Sequence, residues 1–141
     1  MFKGFKIAAS GMAAQRVRLN VVSSNLANAR TTRTDEGGPY KRREPVFSAT
    51  LASAADPSRD PGSASLRGVR VFDVATDEEE GALIHDPDHP DADEEGNVRM
   101  PNVNVVEEMV DMITAARSFE ANVQAFQALK DMTQRSLDIG R

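Results

Sequence analysis

The chain has 141 residues and a net charge of −5, with 40% hydrophobic and 5% aromatic residues, no Trp and no Cys. That leaves room for one ordinary domain and excludes a disulfide scaffold, a thiolate zinc site and a thiol nucleophile. The charge is uneven: residues 1–43 carry nine bases and two acids, for +7, residues 44–101 four and fourteen, for −10, and residues 102–141 four and six, for −2. The bases are spread out and no aromatics interleave them, so nucleic acid is not an expected partner. No apolar run approaches the ~20 residues of a membrane span. The opening Met1-Phe2-Lys3-Gly4-Phe5-Lys6 lacks the unbroken apolar core of a cleaved signal peptide.

Residues 3–29 are periodic: Phe5, Met12, Leu19 and Leu26 recur every seven positions, with Ala8, Gln15, Val22 and Ala29 on the adjacent row. This spacing predicts a helix with a narrow apolar seam. Asn25, Asn28 and Arg30-Thr31-Thr32-Arg33-Thr34 then favour a turn, because Asn and Thr side chains bond neighbouring backbone groups. All seven prolines lie from Pro39 to Pro101, so helix breakers crowd the middle and spare the ends. Pro45–Leu51 and Gly68–Ala75 have strand composition, with Asn97–Met100 a third candidate. Ala52–Ser65 reads as a flexible loop. Residues Asp77–Glu95 hold ten acids and no Lys or Arg, and predict an exposed loop.

The last stretch, 102–139, predicts a longer helix of roughly 55 Å. Val105, Met112, Phe119 and Phe126 form one row; Met109, Ala116, Val123 and Leu137 form the next, interrupted by Lys130 and widened by Ala115 and Leu129. Asn102 or Asn104 serves as N-cap, Glu107, Glu108 and Asp111 suit the positive end of the helix dipole, and Gly140 suits the C′ position. A 70-residue middle segment cannot bury a helix of that length. The two helices need each other or other chains.

Chemistry is weakly supported. His85-Asp86-Pro87-Asp88-His89-Pro90-Asp91-Ala92-Asp93-Glu94-Glu95-Gly96 resembles a metal loop, but the twelfth position counted from Asp91 is Asn102 rather than Glu, and Pro87 and Pro90 block an entering helix. No metal, cofactor or small-molecule substrate is therefore expected. Ser, His and Asp occur without a nucleophile elbow or phosphate loop, so no enzyme is expected. The seams are poor in strong packers: Ala8, Gln15, Ala29, Ala116, Asn122 and Lys130 occupy or flank them. Such a pair is marginal alone, because helical stability comes mostly from tertiary packing. This favours assembly over a self-sufficient hairpin.

Ala8-Ala-Ser-Gly-Met-Ala-Ala-Gln-Arg-Val-Arg-Leu-Asn20, followed by Ser24-Asn25-Leu26-Ala27-Asn28 and Thr31-Thr32, resembles the N-terminal signature of bacterial flagellar rod and hook proteins. The acidic block His85–Asp93 running into Gly96-Asn-Val-Arg-Met100-Pro101-Asn102-Val103-Asn104 is similar to proximal-rod members of that family, and Ala116–Gln124 fits as well. The similarity covers 1–51 and 66–141. It departs at Thr34-Asp35-Glu36, where relatives often carry Thr-Pro.

The resemblance implies a mainly α fold with a small β/loop insert. Its N- and C-terminal helices would pair as an antiparallel coiled coil: residues 1–30 and 102–141 form the inner domain, and 31–101 the insert with its acidic loop. It implies a structural subunit of the proximal rod, packing through Phe5, Met12, Leu19, Val22, Leu26, Val105, Met109, Met112, Phe119, Val123, Phe126 and Leu129. Implied partners are further copies, other rod proteins, the basal-body base and the flagellar type III export apparatus. The implied location is the periplasmic portion of the rod, with no cleaved signal peptide. Another flagellar axial protein, or a cytoplasmic coiled-coil adaptor or export chaperone, is the alternative. The charge asymmetry adds a separate expectation, that the basic first segment, with Arg42 and Arg43, meets the acidic insert of a neighbour.

Overall fold

The computed structural model describes residues 2–50 and 68–139. The elements in chain order are α1 (Phe2–Ala27), β1 (Arg43–Thr50), β2 (Gly68–Thr76), β3 (Leu83–His85), β4 (Asn97–Arg99) and α2 (Val105–Ile139). The expected loop Ala52–Ser65 and the Gly140 cap lie outside the described residues. Two terminal helices thus flank a small β insert.

α1 ends where the Asn/Thr run begins. The Asn28 side chain donates to Ser24 O at 2.9 Å, and the Thr31 hydroxyl donates to Asn28 Oδ1 at 3.2 Å. The side chains thus bond locally where the helix stops. The chain then reverses at Gly37 and Gly38, whose φ values of 87° and 78° are left-handed. Thr34 N donates to Gly38 O at 2.9 Å across this reversal. The turn that departs from the family pattern at Thr34-Asp35-Glu36 is therefore closed by the glycine pair that follows it.

β1 and β2 form an antiparallel ribbon, from Arg43 opposite Thr76 to Thr50 opposite Gly68, with a bulge between Val46 and Phe47. The ribbon lies on α1, where Val69 N donates to the Ser10 hydroxyl at 3.2 Å. Val46, Phe72 and Val74 of the ribbon are exposed. β3 pairs antiparallel with β4, Leu83 opposite Arg99 and His85 opposite Asn97.

The expectation of an exposed loop over Asp77–Glu95 needs correction, since Leu83–His85 within it is a strand. Its side chains are exposed as expected, but its backbone is paired. Gly81 makes the pairing possible: a Cβ there would sit 1.9 Å from Met100 O. Past β3, backbone bonds fold Asp86–Gly96 into a knot, with Asp86 N on Gly96 O at 2.9 Å and Asp93 N on Asn97 O at 2.9 Å. The Thr32 hydroxyl donates to Asp91 at 2.7 Å and ties the knot to the end of α1.

The helices lie side by side, and partner numbers in α2 fall as those in α1 rise. Gly4 meets Leu129 and Gly11 meets Asn122. The Phe5 and Phe126 rings pack edge to face with centroids 5.0 Å apart. Arg18 bonds Asp111 at 2.8 Å, and Asn25 bonds Glu108 at 3.0 Å. The fully buried apolar positions on the helices are small, namely Ala8, Ala14, Val22 and Ala115. The helices approach closely at Gly4 and Gly11, where an added Cβ would crowd Leu129 and Asn122, and the larger seam residues are only half covered.

Candidate assembly surface and its polar anchor

The buried centre where helices and insert meet is polar. Asn25 is 1% exposed and Glu108 0%. The Asn25 amide nitrogen donates to Arg43 O at 2.8 Å and to Glu108 Oε2 at 3.0 Å. Its oxygen accepts from Arg43 N at 3.0 Å and from the Tyr40 hydroxyl at 2.9 Å. Four bonds use all the capacity of one side chain and hold α1, the strand entry and α2 together.

The other oxygen of Glu108 accepts from Arg42 Nε at 2.6 Å. Arg42 also approaches Glu44 at 3.4 Å and Asp111 at 3.9 Å. The hydrogen bond to Glu108 raises the Arg42 guanidinium above its ordinary value, against the lowering effect of burial, and the nearby carboxylates add to the rise. Arg42 is thus held by carboxylates of its own chain, and the expectation that it faces a neighbour is corrected. Arg43 instead stacks its guanidinium over the Tyr40 ring, 5.8 Å from the centroid.

The motif residues occupy this junction. Ser24 contacts the Tyr40 hydroxyl at 3.4 Å. Asn102 accepts from Arg42 N at 2.7 Å and donates to Asp77 O at 3.3 Å. Asn104 is the N-cap, its oxygen accepting from Val106 N at 3.1 Å. Pro101 is buried; Leu26, Asn28, Met100, Asn102 and Val103 are half-buried, and Ala27 and Asn104 are exposed. Sequence reasoning passed over Tyr40, Arg42 and Glu108 as members of this cluster. The chain's single Tyr, in a basic segment, was the available signal.

The residues expected to pack divide into two groups. Val22 is buried, and Phe5, Met12, Leu19, Leu26, Met112, Phe119, Val123, Phe126 and Leu129 are half-buried. Val105 and Met109 are 42% and 51% exposed. Together with Val106, Val110 and Ile113 they form an open apolar stripe over the first turns of α2, which no other described residue covers. Within the seam the Gln15 side-chain oxygen is buried without a hydrogen-bond partner among the described residues.

The histidines are held in local bonds. His85 Nδ1 lies 3.2 Å from Asn97 Oδ1, and His89 Nδ1 accepts from Asp91 N at 3.1 Å. Among the described residues no group of three or more His, Asp or Glu is arranged to hold a metal ion, and no helix is long and apolar enough to cross a membrane. What the described residues offer is an apolar and charged surface on a polar anchor.

Two family models match the two ends of the chain. The flagella basal body rod protein model covers residues 5–33, within α1 and its terminating turn. The flagellar basal body rod FlgEFG protein C-terminal model covers residues 94–139, from the acidic knot through α2. Among similar proteins, flagellar basal-body rod protein FlgC of Aquifex aeolicus is 45% identical over 98% of this chain and 96% of its own length. The proteins of the same name from Bacillus subtilis and Escherichia coli O6:H1 are each 41% identical, over 99% and 97% of this chain and 98% and 96% of their own lengths. With both ends matched by rod models and likeness running almost end to end, the chain belongs to the flagellar basal-body rod protein FlgC family.

Proposed function

We propose that this chain is a structural subunit of the proximal rod of the bacterial flagellar basal body, the shaft that carries torque for motility. Its role is mechanical rather than catalytic. The terminal helices, residues 1–30 and 102–141, pair as an antiparallel coiled coil in the inner layer of the rod. The insert, 31–101, contacts neighbours. The seam residues from Phe5 to Leu26 and from Val105 to Leu129 pack within the pair and against adjacent copies. Other rod proteins and the basal-body base adjoin it. The subunit leaves the cell through the flagellar type III export apparatus without a cleaved signal peptide and resides in the periplasmic portion of the rod.

The observation that carries this reading is the uncovered stripe Val105, Val106, Met109, Val110 and Ile113 on a helix whose other side is already packed. At about 25 cal/mol per Å² of apolar area, burying each large side chain contributes about 1.5–3 kcal/mol. Repeated between copies, that would stiffen a shaft built from marginal subunits.

Purified basal bodies from cells making this chain test the reading. The chain is expected in the rod fraction, and its deletion is expected to abolish swimming until the natural chain is restored. A soluble dimer absent from basal bodies would overturn the proposal and favour an adaptor or chaperone.

A further inference from the structure

We infer that the solvent face of α1 is the seat for the acidic knot of a second copy, so that neighbouring subunits are joined head to tail by a charge contact. This rests on the assembly reading above and names the partner for a face which that reading leaves open. Lys3, Lys6 and Arg16 stand on this face with the small residues Ala9 and Ala13 between them, all exposed. None of the three cations has an ion-pair partner among the described residues, and α1 contains no acid at all. The face is therefore cationic and low in profile, which suits close approach by an anionic surface.

The knot is the matching surface. Asp86, Asp88, Glu94 and Glu95 are exposed and lack cationic partners among the described residues. The knot is also pre-organised: its backbone bonds to itself, and Asp93 Oδ1 accepts from Glu95 N at 2.9 Å and from Asn97 N at 2.8 Å. A rigid anionic surface binds with less ordering cost than a loose loop.

Reach decides that the occupant is another copy. The knot is tied by Thr32, and at 3.8 Å by Arg33, to the far end of α1. Lys6 lies about 30 Å back along that helix at 1.5 Å per residue, beyond reach of its own knot. A parallel copy displaced along the helix direction sets its acids against Lys3 and Lys6. Such a contact joins two different patches and leaves one of each free, so it propagates instead of closing.

The natural chain has no cysteine, so introduced pairs can be read without background. Cells are made to produce the full chain carrying K6C and E94C, and basal bodies are isolated, oxidised and run without reductant. The monomer band is expected to pass into a ladder of linked copies, with either single substitution leaving monomer. Where a cysteine at position 6 keeps the chain out of basal bodies, R16C replaces it. In parallel, K3E/K6E/R16E is expected to reduce incorporation at least about tenfold, equivalent to about 1.4 kcal/mol. Adding D86K, D88K, E94K and E95K to that chain is expected to restore it. Basal bodies that hold the paired-cysteine chain as monomer, with incorporation undiminished by charge reversal, would overturn the inference and leave the assembly reading standing. Absence of the natural chain from basal bodies would overturn the assembly reading itself.

Discussion

Asn25 and Glu108 are the most deeply buried polar side chains of the described residues, and each is fully engaged. A buried carboxylate is tolerable only while its partners stay in place, because removing one leaves an unpaired charge away from water. Arg42→Met is therefore expected to lower unfolding free energy by about 3–5 kcal/mol in urea titration. Lys41→Met next to it removes only the exposed pair with Glu78 and is expected to cost less than about 1 kcal/mol. Equal losses in the two variants would show that the buried node has no special weight. The family motif pointed to Asn25 and Asn102, but not to what they hold. Their partners lie 15 to 83 residues away in the chain, and no local spacing encodes such a meeting. Glu108 illustrates the point: near a helix start it reads as a dipole-compensating acid, yet α2 turns it inward.

The helices were legible because periodicity, the absence of Pro and the absence of Gly after Gly11 and through α2 act over many turns, and their ends fell within a few residues of expectation. β1, β2 and β4 were legible from composition, with edges shifted by one or two residues. β3 was not. Three residues cannot show an alternation, and the surrounding acids suggested solvent rather than pairing. The signal was Gly81, which lets the chain pass against Met100 O. Gly81→Ala is accordingly expected to destabilise the chain by about 1–3 kcal/mol, the usual cost of an added methyl group where no space exists. Faster amide exchange at Met100, whose N–H bonds Ala82 O at 2.9 Å, should accompany the loss. An unchanged exchange rate there would mean that the strand pair tolerates the methyl group.

At the scale of the molecule, the two terminal helices meet in contacts from Gly4–Leu129 to Asn25–Glu108. The weight of the packing differs from expectation: Val22 is covered as expected, but the other covered positions are Ala8, Ala14 and Ala115, while Phe119 and Phe126 keep part of their surface open. Heptad reading ranks positions by residue size, whereas burial in a close pair goes to residues small enough to let the backbones approach. The open stripe and the half-covered Phe119 give separable outcomes. Val106→Ser with Ile113→Ser is expected to leave the thermal midpoint of the isolated chain unchanged and to reduce swimming in soft agar. Phe119→Asp is expected to abolish swimming while the protein is still made. Motile Phe119→Asp cells would show that this seam is not used.

The glycines at the helix contact have a consequence for any structure built from many copies. Gly4 and Gly11, where a Cβ would stand 3.1 Å from Leu129 and 2.7 Å from Asn122, set how near the two helices stand, and they act as a gauge. A single added methylene at either would be repeated in every copy around the circumference. A change too slight to matter to one molecule would accumulate into a wider or warped tube.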